Sequence, residues 1–214
     1  MQIAIIGAST VGRALASSTT RAGHTVTVSA ARPEHAQSVA QQTGAQAAGA
    51  NRAAVAPAEL VILAVPSPAV DRVLADLGDA LAGKVLVDAT NRVDPADPAS
   101  VLDGTSAAEH IQACAPAARV VTAFNTAFAA RQANPPVDGT PVDGFVAGDD
   151  AAAKSSVLEL VGSLGFRPVD AGPLVMARVL EGMALLNIAH QLRTRGAWQA
   201  GWKLLEPAAP PAGH

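Results

Sequence analysis

The sequence predicts an α/β fold built on a doubly wound, mainly parallel sheet, and three observations carry that expectation. Ile3 to Ile6 is a short β-branched run with the character of a buried parallel strand, and it ends at Gly7. From Val11 to Ala22, alanine and leucine recur at helical spacing, so strand, glycine-containing turn and helix follow one another. The same alternation of apolar runs and helical patterns continues to about residue 170, which implies strands joined by crossover helices.

Each element has its own signal. Arg21-Ala-Gly-His24 stops the first helix, and Thr25 to Ser29 reads as the second strand. Pro33 opens a helix to Thr43, because proline is tolerated in a first turn where its missing N–H is not needed. Ala45 to Ala48 reads as a short strand, Asn51 to Ala56 as a helical turn, and Leu60 to Val65 as a strongly apolar strand ended by Pro66-Ser-Pro68. A helix from Ala69 to about Leu81 then places Val70, Val73, Leu74, Leu77 and Leu81 on one face. Lys84 to Asp88 is the next strand, 92–104 an irregular Asp- and Pro-rich loop, Ser106 to Cys114 a helix, and Arg119 to Ala123 a strand. Asn134 to Gly144 carries loop residues, to be read as a mobile flap or a plain surface connection. Phe145 to Ala147 follows as a short strand, Gly148-Asp-Asp150 as a turn and helix cap, Ala151 to Leu164 as a helix and Phe166 to Asp170 as a strand. Beyond Gly172-Pro-Leu174 a long helix runs from about Val175 to Arg195. The expected organisation is a sheet domain over 1–172, a helical segment over 173–206 and a disordered tail over 207–214.

Composition narrows the function. Half of the 214 residues are hydrophobic but only 3% are aromatic, so the core is made of Ala, Val, Leu and Ile. A net charge of −3 without a basic run argues against nucleic acid as a partner. No apolar run approaches a membrane span, and the N-terminus lacks a leader pattern, so a cytoplasmic protein with no membrane partner is expected. The single Cys114 fits a reducing compartment and reads as a small core residue. The five histidines show no metal-ligand spacing, and no metal is expected.

The chemistry centres on the first turn. Gly7, Ser9 and Gly12 keep the GxGxxG spacing with serine in the middle position, followed by a helix whose N-terminal N–H groups and dipole favour a phosphate. The Ser9 and Thr10 hydroxyls are candidate phosphate donors, and the alternative is a plain helix N-cap. At the end of the second strand, about 20 residues past the fingerprint, stands Arg32 rather than an acid, which favours a 2′-phosphate and hence NADP over NAD. Ser29 is a further donor there. The alternative for Arg32 is a solvated residue before a helix. Asn91, Asn125 and Thr126 stand at C-terminal strand ends, where such sheets bind ligands, or act as Asx-turn and capping residues.

Five stretches together resemble the family of NADPH-dependent reductases of coenzyme F420 and the short NADP-binding oxidoreductases related to them. They are Ile3 to Gly12, Val28 to Glu34, Val61 to Pro66, Val85 to Asn91 with Val121 to Thr126, and Gly148-Asp-Asp150 through Phe166 to Leu174. The resemblance implies a Rossmann domain carrying NADP and a C-terminal part that covers the nicotinamide pocket. It assigns Ala8, Ser9, Thr10 and Val11, between Gly7 and Gly12, to the phosphate turn, and Ala31 and Arg32 to the 2′-phosphate site. Val65 and Pro66 become the wall beside the cofactor, and Asn91, Asn125, Thr126 and Ala127 the nicotinamide loops. Where family members often show Ser-Arg-Arg, this chain has Ala30-Ala31-Arg32. The implied acceptor is a deazaflavin, F420, or a flavin as second substrate.

Three function classes remain open at this point: a ring-to-ring hydride-transfer enzyme, a carbonyl or imine reductase, and a non-catalytic NADP sensor. The first suits the inventory, because hydride transfer between cofactor rings needs orientation more than a protein acid, and the chain has no tyrosine and no Ser or Tyr paired with Lys. A reductase would draw on His190 as its acid, a residue also readable as a buried, satisfied histidine. The last helix, with Val175, Val179, Leu180, Met183, Leu185, Leu186 and Ile188, is apolar over so wide a face that it must fold over the sheet or onto a second subunit, and a homodimer is expected. Met176 and Met183 are read as core fillers.

Overall fold

The computed structural model describes residues 1–101 and 104–205. Eight strands form one sheet in the order β3-β2-β1-β4-β5-β6-β7-β8, comprising β1 (Gln2–Ile6), β2 (Thr25–Ser29), β3 (Gln46–Ala47), β4 (Leu60–Leu63), β5 (Val85–Asp88), β6 (Arg119–Ala123), β7 (Asp143–Gly148) and β8 (Arg167–Gly172). The helices are α1 (Thr10–Arg21), α2 (Pro33–Thr43), α3 (Asn51–Val55), α4 (Val70–Leu77), α5 (Ala107–Cys114), α6 (Ala129–Ala133), α7 (Ala151–Ser163) and α8 (Ala177–Thr194). This is the expected Rossmann-like architecture with a long C-terminal helix.

Strand pleating sorts the core into two layers. Along β1, Ile3 and Ile5 face one layer with Leu15 of α1, Val39 of α2 and Val157 and Leu160 of α7. Ala4 and Ile6 face the other, with Val55 of α3, Leu74 and Leu77 of α4 and Ile111 of α5. Ile3, Ile5 and Ile6 are almost fully enclosed, each worth about 1.5–3 kcal/mol of apolar burial. With both faces covered, β4 and, after the exposed Gln2, β1 carry no solvent-side positions and read as continuous apolar runs.

Several boundaries shift for identifiable reasons. The helix expected from Ala69 to Leu81 is α4 with single 3-10 turns at Ser67–Ala69 and Gly78–Leu81, and all five residues of its apolar face are buried. Ser106 is the cap of α5 rather than its first residue, in a reciprocal capping box with Glu109. Asp150 caps α7 as expected, accepting from the Ala153 N–H at 2.8 Å. The strand expected over Phe145 to Ala147 is the longer β7, and it runs antiparallel to β6. Its direction follows from the connection: the chain leaves β6 at Phe124, forms α6 and 134–142 at that same end, and so re-enters the sheet from it. The segment α6 carried no sequence expectation.

The C-terminal segment is tied to the start of β7. Asp143 donates its N–H to the Trp202 carbonyl, its carboxylate accepts from Arg167 at 2.7 Å and from the Leu204 N–H, and these partners hold the carboxyl below its usual range against the opposing effect of burial. The expected disordered tail 207–214 lies outside the described residues.

The last helix departs from expectation in detail. Leu180 and Leu185 are buried, Met176, Met183 and Ile188 are half-buried rather than core, and Val175, Val179 and Leu186 are exposed, the last at 60%. Cys114 is exposed as well, not a core residue. No helix among the described residues is long and apolar enough to cross a membrane.

Candidate functional site

The turn after β1 brings backbone segments close together. Gly7 has φ +123°, and a Cβ on it would run into the Ala64 carbonyl at the end of β4, while a Cβ on Gly12 would run into the Gly7 carbonyl. Both glycines of the fingerprint are therefore required by this packing. Gly7 N–H is held by the Ser29 carbonyl at 2.9 Å, which ties the turn to the end of β2.

Ser9 occupies the N-cap position of α1 without a side-chain cap bond, so the N-cap reading of its hydroxyl does not describe this structure. The hydroxyl instead donates to the Ala64 carbonyl at 3.2 Å. Serine in the middle position thus stitches the turn to β4, and the first-turn N–H groups of α1 are left without a cap from this side chain, directed outward at the C-terminal end of the sheet.

Two cavities flank that helix terminus. The larger, about 660 Å³, is lined by Gly7, Ala8, Ser9, Ala31, Arg32, Val65 and Pro66 among the expected residues. It also takes in His35 of α2, Asn51 of α3, and Arg72 and Asp76 of α4, none of them expected. Arg72 gives the cavity a second guanidinium, which the reading of Ala30-Ala31-Arg32 as one arginine of two had not supplied. Ser29 does not line this cavity: it is fully buried, and its hydroxyl donates to Asn51 Oδ1 at 2.8 Å. Asn51 Nδ2 in turn donates to Asp76 Oδ2 at 2.8 Å, so Ser29 positions a polar chain instead of offering its proton to a ligand.

The smaller cavity, about 140 Å³, is lined by Val11, Asn91, Asn125, Thr126 and Ala127, with Phe128, Gln132 and, from α8, Ala184 and Ile188. Asn91 and Asn125 bind each other across the ends of β5 and β6: Asn91 Nδ2 donates to the Asn125 carbonyl at 3.0 Å, and Asn125 Nδ2 donates to Asn91 Oδ1 at 3.1 Å. Phe124, just before Asn125, is buried at φ +67°, a conformation disfavoured for a bulky residue and typical of strained ligand sites. Gln132 donates through Nε2 to the carbonyls of Phe124 and Ala127, both at 3.0 Å, and so holds that bend in place. Asn125 Oδ1 and Gln132 Oε1 are buried without a hydrogen-bond partner. Two unpaired acceptors in the wall of one cavity call for a donor from a ligand, since an unsatisfied buried acceptor costs about 1–3 kcal/mol. Gln132 had escaped the sequence reading, its one signal being a lone amide within Ala129-Ala-Arg-Gln-Ala133.

Two acids are buried at the end of β5 and on α8. Asp88, 1% exposed, ends β5 and accepts from the Thr90 N–H and hydroxyl, and burial pushes its pKa up to about 6 despite these bonds. Glu181 of α8 accepts from the Ala107 N–H at 2.7 Å, and burial, with the charge of Asp88 adding to it, pushes it up to about 7. His190 is exposed, neither the buried histidine nor the pocket acid of the two sequence readings.

A glycine turn packed on β4, a helix terminus open to an anion, and cavities on both sides at the carboxyl end of a parallel sheet define a dinucleotide-dependent oxidoreductase of the Rossmann class. The family model described as NADP oxidoreductase, coenzyme F420-dependent, matches residues 2–92. The F420-dependent NADP reductase of Methanothermobacter marburgensis is 32% identical over 219 residues, covering 92% of this chain and 96% of the relative. The chain belongs to this family of NADP-dependent oxidoreductases. A crystal structure from Arthrobacter sp. FB24, assigned as an F420-dependent NADP-reductase, superposes with a TM-score of 0.84 at 31% identity, covering 96% of this chain and 100% of that one. The metalloreductase STEAP3 of Rattus norvegicus is 33% identical over 189 residues; these are 86% of this chain but only 36% of that longer relative.

Proposed function

We propose that this chain transfers hydride between NADPH and a deazaflavin of the F420 type or a flavin. The observation that carries this reading is the lining of the smaller cavity: among the described residues that line it there is no titratable side chain, only amides, one hydroxyl and apolar groups. Reduction of a ketone or imine needs a proton donor at the reacting atom, whereas hydride passage between two cofactor rings needs alignment within about 3–3.5 Å and exclusion of water. The name of the M. marburgensis relative points to the same acceptor.

The chain's residues fit the dinucleotide. Arg32, with Arg72 across the larger cavity, would hold the 2′-phosphate, and the turn from Gly7 to Gly12 with the N–H groups of Ala8, Ser9, Thr10 and Val11 would hold the pyrophosphate. Asn125 Oδ1 and Gln132 Oε1 would accept from the carboxamide N–H groups, which answers both orphaned acceptors at once. Asn91 and Thr126 complete that wall, and Ala184 and Ile188 of α8 line the same cavity, which supports a covering role for the C-terminal segment. The bound nicotinamide supplies the hydride chemistry, and the protein's part is position, polarity and dryness.

The exposed Val175, Val179 and Leu186 recur along one stripe, which supports a homodimer packed through α8, checked by light scattering. One exposed thiol and no disulfide support a reducing compartment, the cytoplasm. The deciding experiment follows NADPH absorbance with F420, FMN, and simple ketones and imines in turn. Rapid oxidation by F420 or FMN alone is expected. Oxidation by ketones or imines instead would replace this reading with a carbonyl or imine reductase, and oxidation by none would favour a sensor.

A further inference from the structure

We propose that Asp71, His110 and Cys114 form a binding site for a borderline divalent cation of the zinc(II) class, separate from both dinucleotide cavities and independent of the hydride-transfer reading. The three donor atoms lie within 4.8 Å of one another. His110 Nε2 is 2.6 Å from Asp71 Oδ1 and 3.7 Å from Cys114 Sγ. His110 and Cys114 are one turn apart on α5 and so share a face. Asp71 comes from the first turn of α4, brought alongside because Val70, Val73 and Leu74 pack in the same core layer as Ala108 and Ile111. The histidines had shown no ligand spacing in the sequence because the third donor is 39 residues away.

The donor set selects the ion. Magnesium and calcium take oxygen ligands, whereas imidazole, thiolate and one carboxylate suit zinc and its neighbours. Tetrahedral zinc with ordinary bond lengths separates its nitrogen and sulfur ligands by about 3.6 Å and its nitrogen and oxygen ligands by about 3.3 Å. The His110–Cys114 pair is already at that separation. The Asp71 carboxylate must withdraw by about 0.7 Å to meet it, and its side chain is 75% exposed, so no packing opposes the shift.

An ion pair accounts for Asp71 beside His110 and helical spacing for Cys114, and together they bring three donors of a zinc set within reach of one ion. Three protein ligands leave a position open, and Asp71 and His110 also border a cavity of about 240 Å³ with Ser67 and Arg92, which has room for a water or small anion there.

Cobalt(II) is the probe, titrated into the full chain. The expected result is one equivalent bound, with tetrahedral visible bands and a thiolate-to-cobalt charge-transfer band in the near ultraviolet, both abolished by stoichiometric zinc. Changes outside the coordination shell already cost about 10–100-fold in affinity, so Asp71→Asn and His110→Gln should weaken binding by at least about tenfold. Cys114→Ser should remove the charge-transfer band. Cys114 is the only thiol in the chain, so iodoacetamide labelling reports independently: zinc should slow it in the wild type and not in Asp71→Asn. Folding of each variant is verified by circular dichroism. Absence of the charge-transfer band at stoichiometric cobalt, or an Asp71→Asn variant that titrates and labels like wild type, would overturn the site.

Discussion

The larger cavity is walled by Arg32, Arg72, His35 and Asp76, whereas the smaller one, beyond Val11 of α1, presents amides, a hydroxyl and apolar groups. Charge dominates the first, and unpaired neutral acceptors dominate the second. The difference separates two tasks on one sheet edge: holding an anion tightly where solvent can screen it, and orienting a neutral ring where a stray charge or proton would interfere.

The largest effect is expected from the element the two cavities share. Gly12→Ala puts a Cβ against the Gly7 carbonyl, so the turn must move, at about 1–3 kcal/mol of stability and with loss of NADPH binding. Thermal unfolding and fluorescence titration would check both, and tight NADPH binding in this variant would show that the turn is not the phosphate site.

On the charged side, Arg32→Asp should weaken NADPH by about 100-fold while leaving NADH nearly unchanged, since a hydrogen bond to a charged partner is worth about 1.5–3 kcal/mol. Arg72→Ala should show the same selectivity at smaller size. Equal wild-type affinities for the two cofactors would break this half of the comparison.

The two buried acids, Asp88 at the end of β5 and Glu181 of α8, give a pH signature. Asp88 and Glu181 bind protons more tightly folded than unfolded, from ordinary values of 3.8 and 4.5 up to about 6 and about 7. The folded chain therefore carries the extra protons inside that window, and unfolding free energy falls as pH rises through it. Glu181→Gln keeps an acceptor for the Ala107 N–H and should flatten the upper part of that fall, removing about 3 kcal/mol of pH dependence in denaturant titrations. An unchanged profile would mean that Glu181 is solvated in solution.

The smallest effect tests the neutral side directly. Gln132→Leu removes one orphaned acceptor together with the two bonds that hold the Phe124 bend, and should lower kcat by about tenfold or more with a smaller change in NADPH affinity, each neutral hydrogen bond being worth about 0.5–1.5 kcal/mol. A change in NADPH affinity of the same size would assign Gln132 to binding instead of orientation.

Local signals made most of the frame legible. The bounds of β2, α2 and β6 follow from glycine stops, a first-turn proline and β-branched runs, all contained within a few residues. What sequence could not give depends on distance. The direction of β7 is decided by where 124–142 returns, and Arg72, His35 and Asp76 enter the charged cavity from helices that only the folded sheet brings together. Cys114 reads as core because free cysteines are usually buried, yet it is exposed at the end of α5.

The reversal at β7 has a consequence for α8. Because β7 and β8 both run away from the ligand end, the chain emerges from β8 at the opposite rim, where Leu174 N–H is anchored by Asp149 at 2.8 Å. The helix must then climb back along the sheet before Ala184 and Ile188, its eighth and twelfth residues, reach the cavity about 11 and about 17 Å from its start. It works as a ruler with a phase: one residue inserted between Glu181 and Ala184 would turn the far half by about 100° and swing Ile188 away from the wall. Length in this helix is therefore constrained as strictly as the chemistry of the pocket it closes.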